Sequence, residues 1–255
     1  MKLLKTIALC VAAIFLFEGK VFGQVSVDSV ALEAEVLVTN NAGQSFTDSF
    51  LVNDFDSSDA VQAETEFLMP LPEFHSANAT VEATRLGNTF QVFALAFADV
   101  NFNLFADDFL TGGFAEATGS ATIDFTLDSP YSFTLVSVVS DDTAPIDLQV
   151  DSSSTVSLIR LADDSLIDPL TETALAPGSY SFVTTIALSA SPDALFLPLP
   201  PGSFFGEASG SISASSSLSL TAVPEPSGTL LLGLIGCCSV LLRRRRLVKN
   251  PHEPN

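Results

Sequence analysis

The residues of this chain that could do chemistry are mostly carboxylates. Asp54, Asp56 and Asp59 place three of them within six residues. Closely spaced carboxylate oxygens are the ligands that calcium prefers in proteins. This cluster therefore predicts a weak calcium site, and the sequence implies no other cofactor.

A second polar stretch, Asp99-Val100-Asn101-Phe102-Asn103, begins like the calcium-binding loop of an EF-hand. Such a loop needs Gly at its sixth position and Glu at its twelfth. Leu104 and Leu110 stand at those two positions, so the pattern fails. The alternation of Phe102 and Leu104 with polar residues predicts a strand instead.

Groups that could act as a catalytic base are few. His75 is the one histidine between residues 24 and 222. It follows Pro70 and Pro72, which predicts a surface loop rather than the base of a catalytic triad. Acidic pairs could serve a glycosidase, but the sequence singles out no pair, and Trp is absent. We therefore expect no catalysis, with a hydrolase of unnamed carboxylates as the alternative.

The segment 24–222 is strongly acidic. It holds 27 of the 30 acidic residues, since Glu18, Glu225 and Glu253 lie outside it, and two of the ten basic ones, which gives a formal charge of −25. Such a surface repels phosphate backbones, so nucleic acid is excluded as a partner. The three cysteines lie in the terminal segments, so this segment has no disulfide. Its many Phe, Val, Leu and Ile residues nevertheless predict a folded core.

A period-two pattern of apolar residues runs through the acidic segment. It is clearest at 30–38, and it recurs at 123–127, 131–135 and 146–150. Such alternation is typical of strands that bury one face. Eight to ten strands are expected, with no long helical pattern among them. The sequence thus predicts an all-β fold, an antiparallel β-sandwich of jelly-roll-like form.

Polar clusters predict turns between these strands. Asp128-Ser129-Pro130 joins two alternating runs and predicts a hairpin turn. Asp141-Asp142 and Asp151-Ser152-Ser153 predict further turns, and 174–182 predicts a turn that leads into a strand.

Three other stretches have less regular patterns. The apolar residues of 90–105 change phase twice, which predicts strands broken by a bulge or turn near Ala98-Asp99, with a helix as the alternative. The Pro- and Gly-rich stretch 191–210 predicts a long loop, and the Ser-rich stretch 211–222 predicts a last strand.

The N-terminus has the pattern of a secretory signal peptide. Lys2 and Lys5 precede an apolar stretch at 7–17, and the small residues near Gly23 predict a cut between Gly23 and Gln24. The apolar stretch is short for a membrane span. An uncleaved N-terminal anchor is the alternative.

The C-terminal region has the pattern of a membrane anchor. Residues 227–242 form an uncharged run of 16 residues, which as a helix would extend about 24 Å. Arg243, Arg244, Arg245 and Arg246 follow at once. Such a cluster stays on the cytoplasmic side and stops translocation. This predicts a single transmembrane helix through 227–242, with the acidic segment exported.

A proline-flanked acid precedes that span. Pro224, Glu225 and Pro226 hold the chain extended just before the apolar run. This triplet, the span and the arginine cluster, in that order, resemble the PEP-CTERM sorting signal, a segment also classed with the C-terminal domain of ice-binding proteins. The resemblance implies recognition by exosortase, a membrane protease, and association of the mature protein with extracellular polysaccharide. It covers 223–246 and implies nothing about the acidic segment.

These patterns predict four regions: a signal peptide at 1–23, an acidic β-sandwich domain at 24–222, a sorting signal at 223–246 and a cytoplasmic tail at 247–255. We expect an exported, exosortase-processed structural protein of the cell surface or the biofilm matrix, anchored transiently in the inner membrane. Its expected partners are signal peptidase, exosortase, the membrane and extracellular polysaccharide. The alternative is a surface module that binds polysaccharide, ice or calcium.

Overall fold

The computed structural model describes residues 23–39, 44–52, 58–68, 73–104, 113–146, 148–192 and 204–223. These residues form strands and turns and contain no helix, which confirms the all-β prediction. Within the described ranges, therefore, no helix has the length and apolarity of a membrane span. The predicted span at 227–242 and the signal peptide, apart from Gly23, lie outside those ranges. Residues Gln24–Thr221 form one compact unit.

The described residues form twelve strands: β1 (Val25–Thr39), β2 (Ser45–Val52), β3 (Ser58–Leu68), β4 (Glu73–Leu86), β5 (Thr89–Leu104), β6 (Phe114–Leu127), β7 (Tyr131–Ile146), β8 (Leu148–Arg160), β9 (Ser165–Leu166), β10 (Ala174–Leu175), β11 (Gly178–Pro192) and β12 (Phe204–Ala222). They make two antiparallel sheets. Sheet A has the order β2-β1-β6-β11-β8-β9, and sheet B has the order β10-β7-β12-β5-β4-β3.

The inner faces of the two sheets carry the predicted alternation. In β1 every second residue from Val30 to Val38 is buried, and β6 alternates without a break from Phe114 to Leu127. Phe90 of β5 packs on Phe125 of β6, with ring centroids 5.3 Å apart, and Phe125 packs on Tyr180 of β11 at 5.8 Å. Each ring buried this way contributes about 1.5–3 kcal/mol. The sheets therefore pack face to face over one apolar core.

Strand β5 is longer and more regular than its sequence predicts. It pairs in a continuous register with β12 over its whole length and with β4 from Thr89 to Phe102, so the predicted break near Ala98-Asp99 is wrong, as is the helical alternative. The buried residues follow one phase, which consists of Phe90, Val92, Ala94, Ala96, Ala98 and Val100. The large side chains of the other phase caused the error, because they lie on the outer face.

Several predicted turns are also wrong. Asp128-Ser129-Pro130 does not close a hairpin, because β6 lies in sheet A and β7 lies in sheet B. The run 146–150, predicted as part of one strand, instead contains the end of β7 and the start of β8, which lie in different sheets. The pair Asp141-Asp142 lies inside β7, and the triplet 151–153 lies inside β8. At both places the two faces of the strand are in contact with solvent. Polar residues there carry no turn signal.

The prediction for the last part of the described chain is partly confirmed. Residues 174–182 do lead through a turn into β11, and 211–222 do form the last strand. That strand begins at Phe204, so 204–210 belong to β12 and not to a loop. The Tyr180 hydroxyl donates a hydrogen bond of 2.8 Å to the Ala176 carbonyl, which fixes the turn before β11.

Glycine at position 119 sets the distance between the two sheets at their centre. Gly119 lies on the inner face of β6, and a Cβ at this position would be 2.8 Å from Val81 Cγ2 of β4. Real Cβ atoms do not approach a methyl carbon so closely, and both positions are buried. Any side chain here forces the sheets apart.

We predict that Gly119→Ala lowers the free energy of unfolding by about 1–3 kcal/mol, the usual range for overpacking a close-packed core. Denaturant unfolding of the variant measures this loss. Ser120→Ala is the matched control, because Ser120 is the next residue and lies on the outer face of β6. Equal stability of the two variants would contradict the assigned sheet contact.

A buried hydrogen bond also joins the sheets. Thr184 Oγ1 of β11 lies 2.6 Å from Ser216 Oγ of β12, and both residues are buried. Ser216 interrupts the apolar phase that Ile212, Ala214 and Leu218 set on β12. The two hydroxyls satisfy each other, since a buried hydroxyl without a partner costs about 1–3 kcal/mol.

We predict that Thr184→Val destabilises the fold by about 1–3 kcal/mol, because it leaves the Ser216 hydroxyl without this partner. The double variant Thr184→Val with Ser216→Ala should recover most of that loss. A double-mutant cycle by denaturant unfolding gives the coupling energy. Additive losses, with no coupling, would show that the two hydroxyls do not interact.

Candidate ligand-binding face

The predicted calcium ligands are only partly within the described chain. Asp54 and Asp56 lie outside it. Asp59 lies in β3, and its Oδ1 accepts a hydrogen bond of 3.1 Å from the Ala60 backbone N–H. Among the described residues no three His, Cys, Asp or Glu side chains come together as a metal site. Calcium binding at the 54–59 cluster stays a prediction.

His75 is not in a surface loop, so that prediction is wrong. It is fully buried, on the inner face of β4 in phase with Ala77, Ala79 and Val81. Strand β4 begins at Glu73, directly after the prolines, and its period of two then carries His75 into the core. The ring lies against the backbone of Gly113, where a Cβ would be 2.5 Å from Nε2. A ring in this position is closed to a substrate.

Shifted pKa values in the described part come from structural contacts. Burial, with the nearby Asp128 carboxylate, raises the pKa of the Tyr131 phenol, so this group stays neutral at physiological pH. The Ser165 hydroxyl donates to Asp163 Oδ1 at 2.7 Å and lowers the pKa of that carboxyl, with a smaller effect from Arg160. Both shifts move the pKa away from neutral pH, where the pKa of an acid–base catalyst is most effective.

The predicted processing sites lie at the edges of the described chain. Gly23 and Gln24 immediately precede β1, and the Gln24 backbone N–H donates a hydrogen bond of 2.7 Å to Asp128 Oδ1. Val223 is the last described residue. The sorting triplet Pro224–Pro226 and the cluster Arg243–Arg246 lie outside the described ranges.

The outer face of sheet B carries three parallel rows of side chains, which we call the serine–phenylalanine face. Each row lies on one strand. The first row is Ser76, Asn78, Thr80, Glu82 and Thr84 of β4. The second is Gln91, Phe93, Leu95 and Phe97 of β5. The third is Ser209, Ser211, Ser213, Ser215, Ser217 and Ser219 of β12.

The centre of this face is an apolar strip. Phe93 is 41% exposed, and Leu95 and Phe97 are half-buried. From Phe93 to Phe97 the strip extends about 13 Å along β5. Sequence reasoning treated these Phe residues as core, because nothing in their spacing distinguishes the outer phase of β5 from the inner one. The alanines at 94, 96 and 98 were the missed signal, since small residues fill the inner phase.

The register places polar groups on both sides of each ring. Asn78 of β4 and Ser211 of β12 are opposite Phe97, and Glu82 and Ser215 are opposite Phe93. Two shallow depressions result. The one at Phe97 has a volume of about 430 Å³ and reaches Glu64 of β3. The one at Phe93 has a volume of about 270 Å³.

The charge of the face is negative. Glu64 and Glu82 are exposed beside the strip. The described part has two basic residues other than histidine, Arg85 and Arg160, and both have intramolecular partners. The Arg85 guanidinium donates to the carbonyls of Val25 (2.8 Å) and Gly87 (2.9 Å). Arg160 pairs with Glu172 at 3.2 Å. The described residues therefore offer this face no cation that could pair with an anionic ligand.

No protein-family model, no curated protein and no solved structure matches this chain. The assignment of a function therefore depends on the terminal sequence segments and on the geometry of the described sheets.

Proposed function

We propose that this chain is an exported structural protein of the cell surface or extracellular matrix, without catalytic activity. Signal peptidase and exosortase process its two ends, with the span 227–242 holding it transiently in the membrane. The order of triplet, span and arginine cluster supports this proposal. So does a compact unit that begins at Gln24, the residue directly after the proposed cut.

The surface chemistry of the unit also supports an extracellular role. Its charge of −25 keeps copies soluble, and both sheets turn rows of Ser and Thr outward, as on β6 and β12. For the fold we propose the finer jelly-roll-like description, because the chain alternates repeatedly between the two sheets.

We predict that the chain isolated from secreted material begins at Gln24 and ends near Pro226. Mass spectrometry of intact protein from the membrane and secreted fractions measures both ends. Replacing the triplet residue Glu225 by Ala should retain the full C-terminus in the membrane fraction. Replacing Glu253, which lies beyond the arginine cluster, is the matched control. Secreted chains that still carry Arg243–Arg246 would contradict exosortase processing.

A second candidate function is polysaccharide binding, which the serine–phenylalanine face favours. An exposed apolar strip can contact the flat C–H surface of sugar rings, while flanking hydroxyl, amide and carboxylate groups bond the sugar hydroxyls. The two depressions repeat this arrangement about 13 Å apart, which suits an extended chain rather than one ring. Because the face has exposed carboxylates and no available arginine, the preferred ligand is a neutral polysaccharide.

We predict that Phe93→Ala and Phe97→Ala each weaken binding to a neutral polysaccharide about tenfold, which corresponds to about 1.4 kcal/mol. Retention of the full chain on insoluble neutral and anionic polysaccharides measures this. Phe50→Ala is the matched control, because Phe50 is 54% exposed on β2 of sheet A.

An ice-affinity arm and a calcium-titration arm of the same experiment test the other binding functions. Retention on ice, lost with Ser213→Val, would favour an ice-binding surface. No retention on any of these materials would leave the structural role and reject the binding role.

A further inference from the structure

Strand β7 presents an exposed apolar edge. Sheet B ends at β10, which pairs with β7 only at Tyr131 and Ser132 in the described chain. Beyond that point Val136, Val138 and Val139 are 50%, 63% and 48% exposed. Long exposed edges with apolar side chains are sites where another strand can add.

The side chains of this edge are symmetric about Ser137. Reading outward from Ser137, Val136 and Val138 stand on one face of the strand, and Leu135 and Val139 stand on the other. When two copies of such a strand pair antiparallel with Ser137 on the axis, Val136 lies opposite Val138 and Leu135 lies opposite Val139. Cross-strand pairs of β-branched and aliphatic residues stabilise a sheet.

The charge distribution permits this pairing. Residues 133–140 contain no charged side chain, although the acidic segment as a whole has a formal charge of −25. In the register about Ser137, Asp141 lies opposite Phe133 of the other copy, so no carboxylate faces a carboxylate. Strand β10 occupies the edge at Tyr131 and Ser132, which limits the pairing to residues 133–141.

The edge strand β2 of sheet A shows the opposite arrangement. Its apolar residues are also symmetric, with Phe46 and Phe50 on either side of Asp48. Pairing of two β2 strands in that register would set Asp48 against Asp48, which is repulsive. Asp48 also accepts a hydrogen bond of 3.2 Å from the Glu64 N–H of β3. The carboxylate on the symmetry axis thus opposes pairing of two β2 strands. In β7 the residue on the axis is a serine, which carries no charge.

We propose that two copies of this chain associate through β7, antiparallel and with Ser137 on the two-fold axis, to form one continuous sheet from two copies of sheet B. The contact is small, so it is weak and depends on protein concentration. Since both copies are acidic, salt screens their repulsion and strengthens the association.

Disulfide trapping tests the register. Residues opposite each other in an antiparallel pair have Cα atoms about 4.5–5.5 Å apart, which a disulfide can bridge. Under a mild oxidant the full chain with Ser137→Cys should form a dimer linked from position 137 to position 137, read by mass spectrometry of the linked peptide. Ser49→Cys on β2 is the matched control, an exposed serine on the edge strand of the other sheet. Equal linking of both variants, or none at position 137, would overturn the proposal.

Sedimentation of the full chain tests the association itself. The dimer fraction should rise with salt from about 0.05 to about 0.5 M. Ser137→Asp puts a carboxylate on the axis, as Asp48 does in β2, and should raise the dissociation constant at least tenfold. Ser49→Asp on β2 adds the same charge away from the contact and should raise it less than twofold. A monomer at every salt concentration would overturn the proposal.

This inference goes beyond the proposed function and does not depend on it. Failure of the β7 contact appears in the linked peptides and in sedimentation. Failure of the export proposal appears in the masses of the two chain ends.

Discussion

Burial of one face of each sheet against the other is the interaction on which this structure depends. The acidic segment has no cysteine, so no covalent link reinforces it. Small inner residues, such as Ala96 of β5 and Gly119 of β6, let the sheets approach, and the buried rings of Phe90, Phe125 and Tyr180 pack on one another between them. With the core supplied this way, the outer faces and the edges can vary in chemistry without loss of the fold.

The sequence was sufficient for the class of fold and for the strands with clear alternation, such as β1 and β6. Alternation at 30–38 and 123–127 reports directly which residues are buried, because a half-buried strand must repeat every two residues. The same alternation does not predict which strands a turn connects within one sheet and which it connects across the two sheets. A short polar turn such as Asp128-Ser129-Pro130 has the same composition whether the chain pairs with itself or crosses to the other sheet. The pairing of β7 with β12 in sheet B shows that the chain crosses here.

The candidate binding face was harder to foresee than the fold. Phe93 and Phe97 are as apolar as Phe90, and size does not tell which phase of β5 is inside. Burial separates the two phases, since Ala94, Ala96 and Ala98 are fully buried against the other sheet. The prediction for His75 was wrong in the opposite sense: Pro70 and Pro72 predicted a surface loop, whereas β4 begins directly after them and its phase places the ring in the core.

The contact between Gln24 and Asp128 has a consequence under the proposed processing of the N-terminus. In the uncut chain the Gln24 nitrogen is a peptide amide, and its bond to Asp128 Oδ1 is an ordinary one. A cut after Gly23 would turn that nitrogen into an ammonium group, and the same contact would become an ion pair, worth up to about 1 kcal/mol at an exposed position. Under the proposed processing, removal of the leader would therefore strengthen the attachment of the start of β1 to the turn after β6.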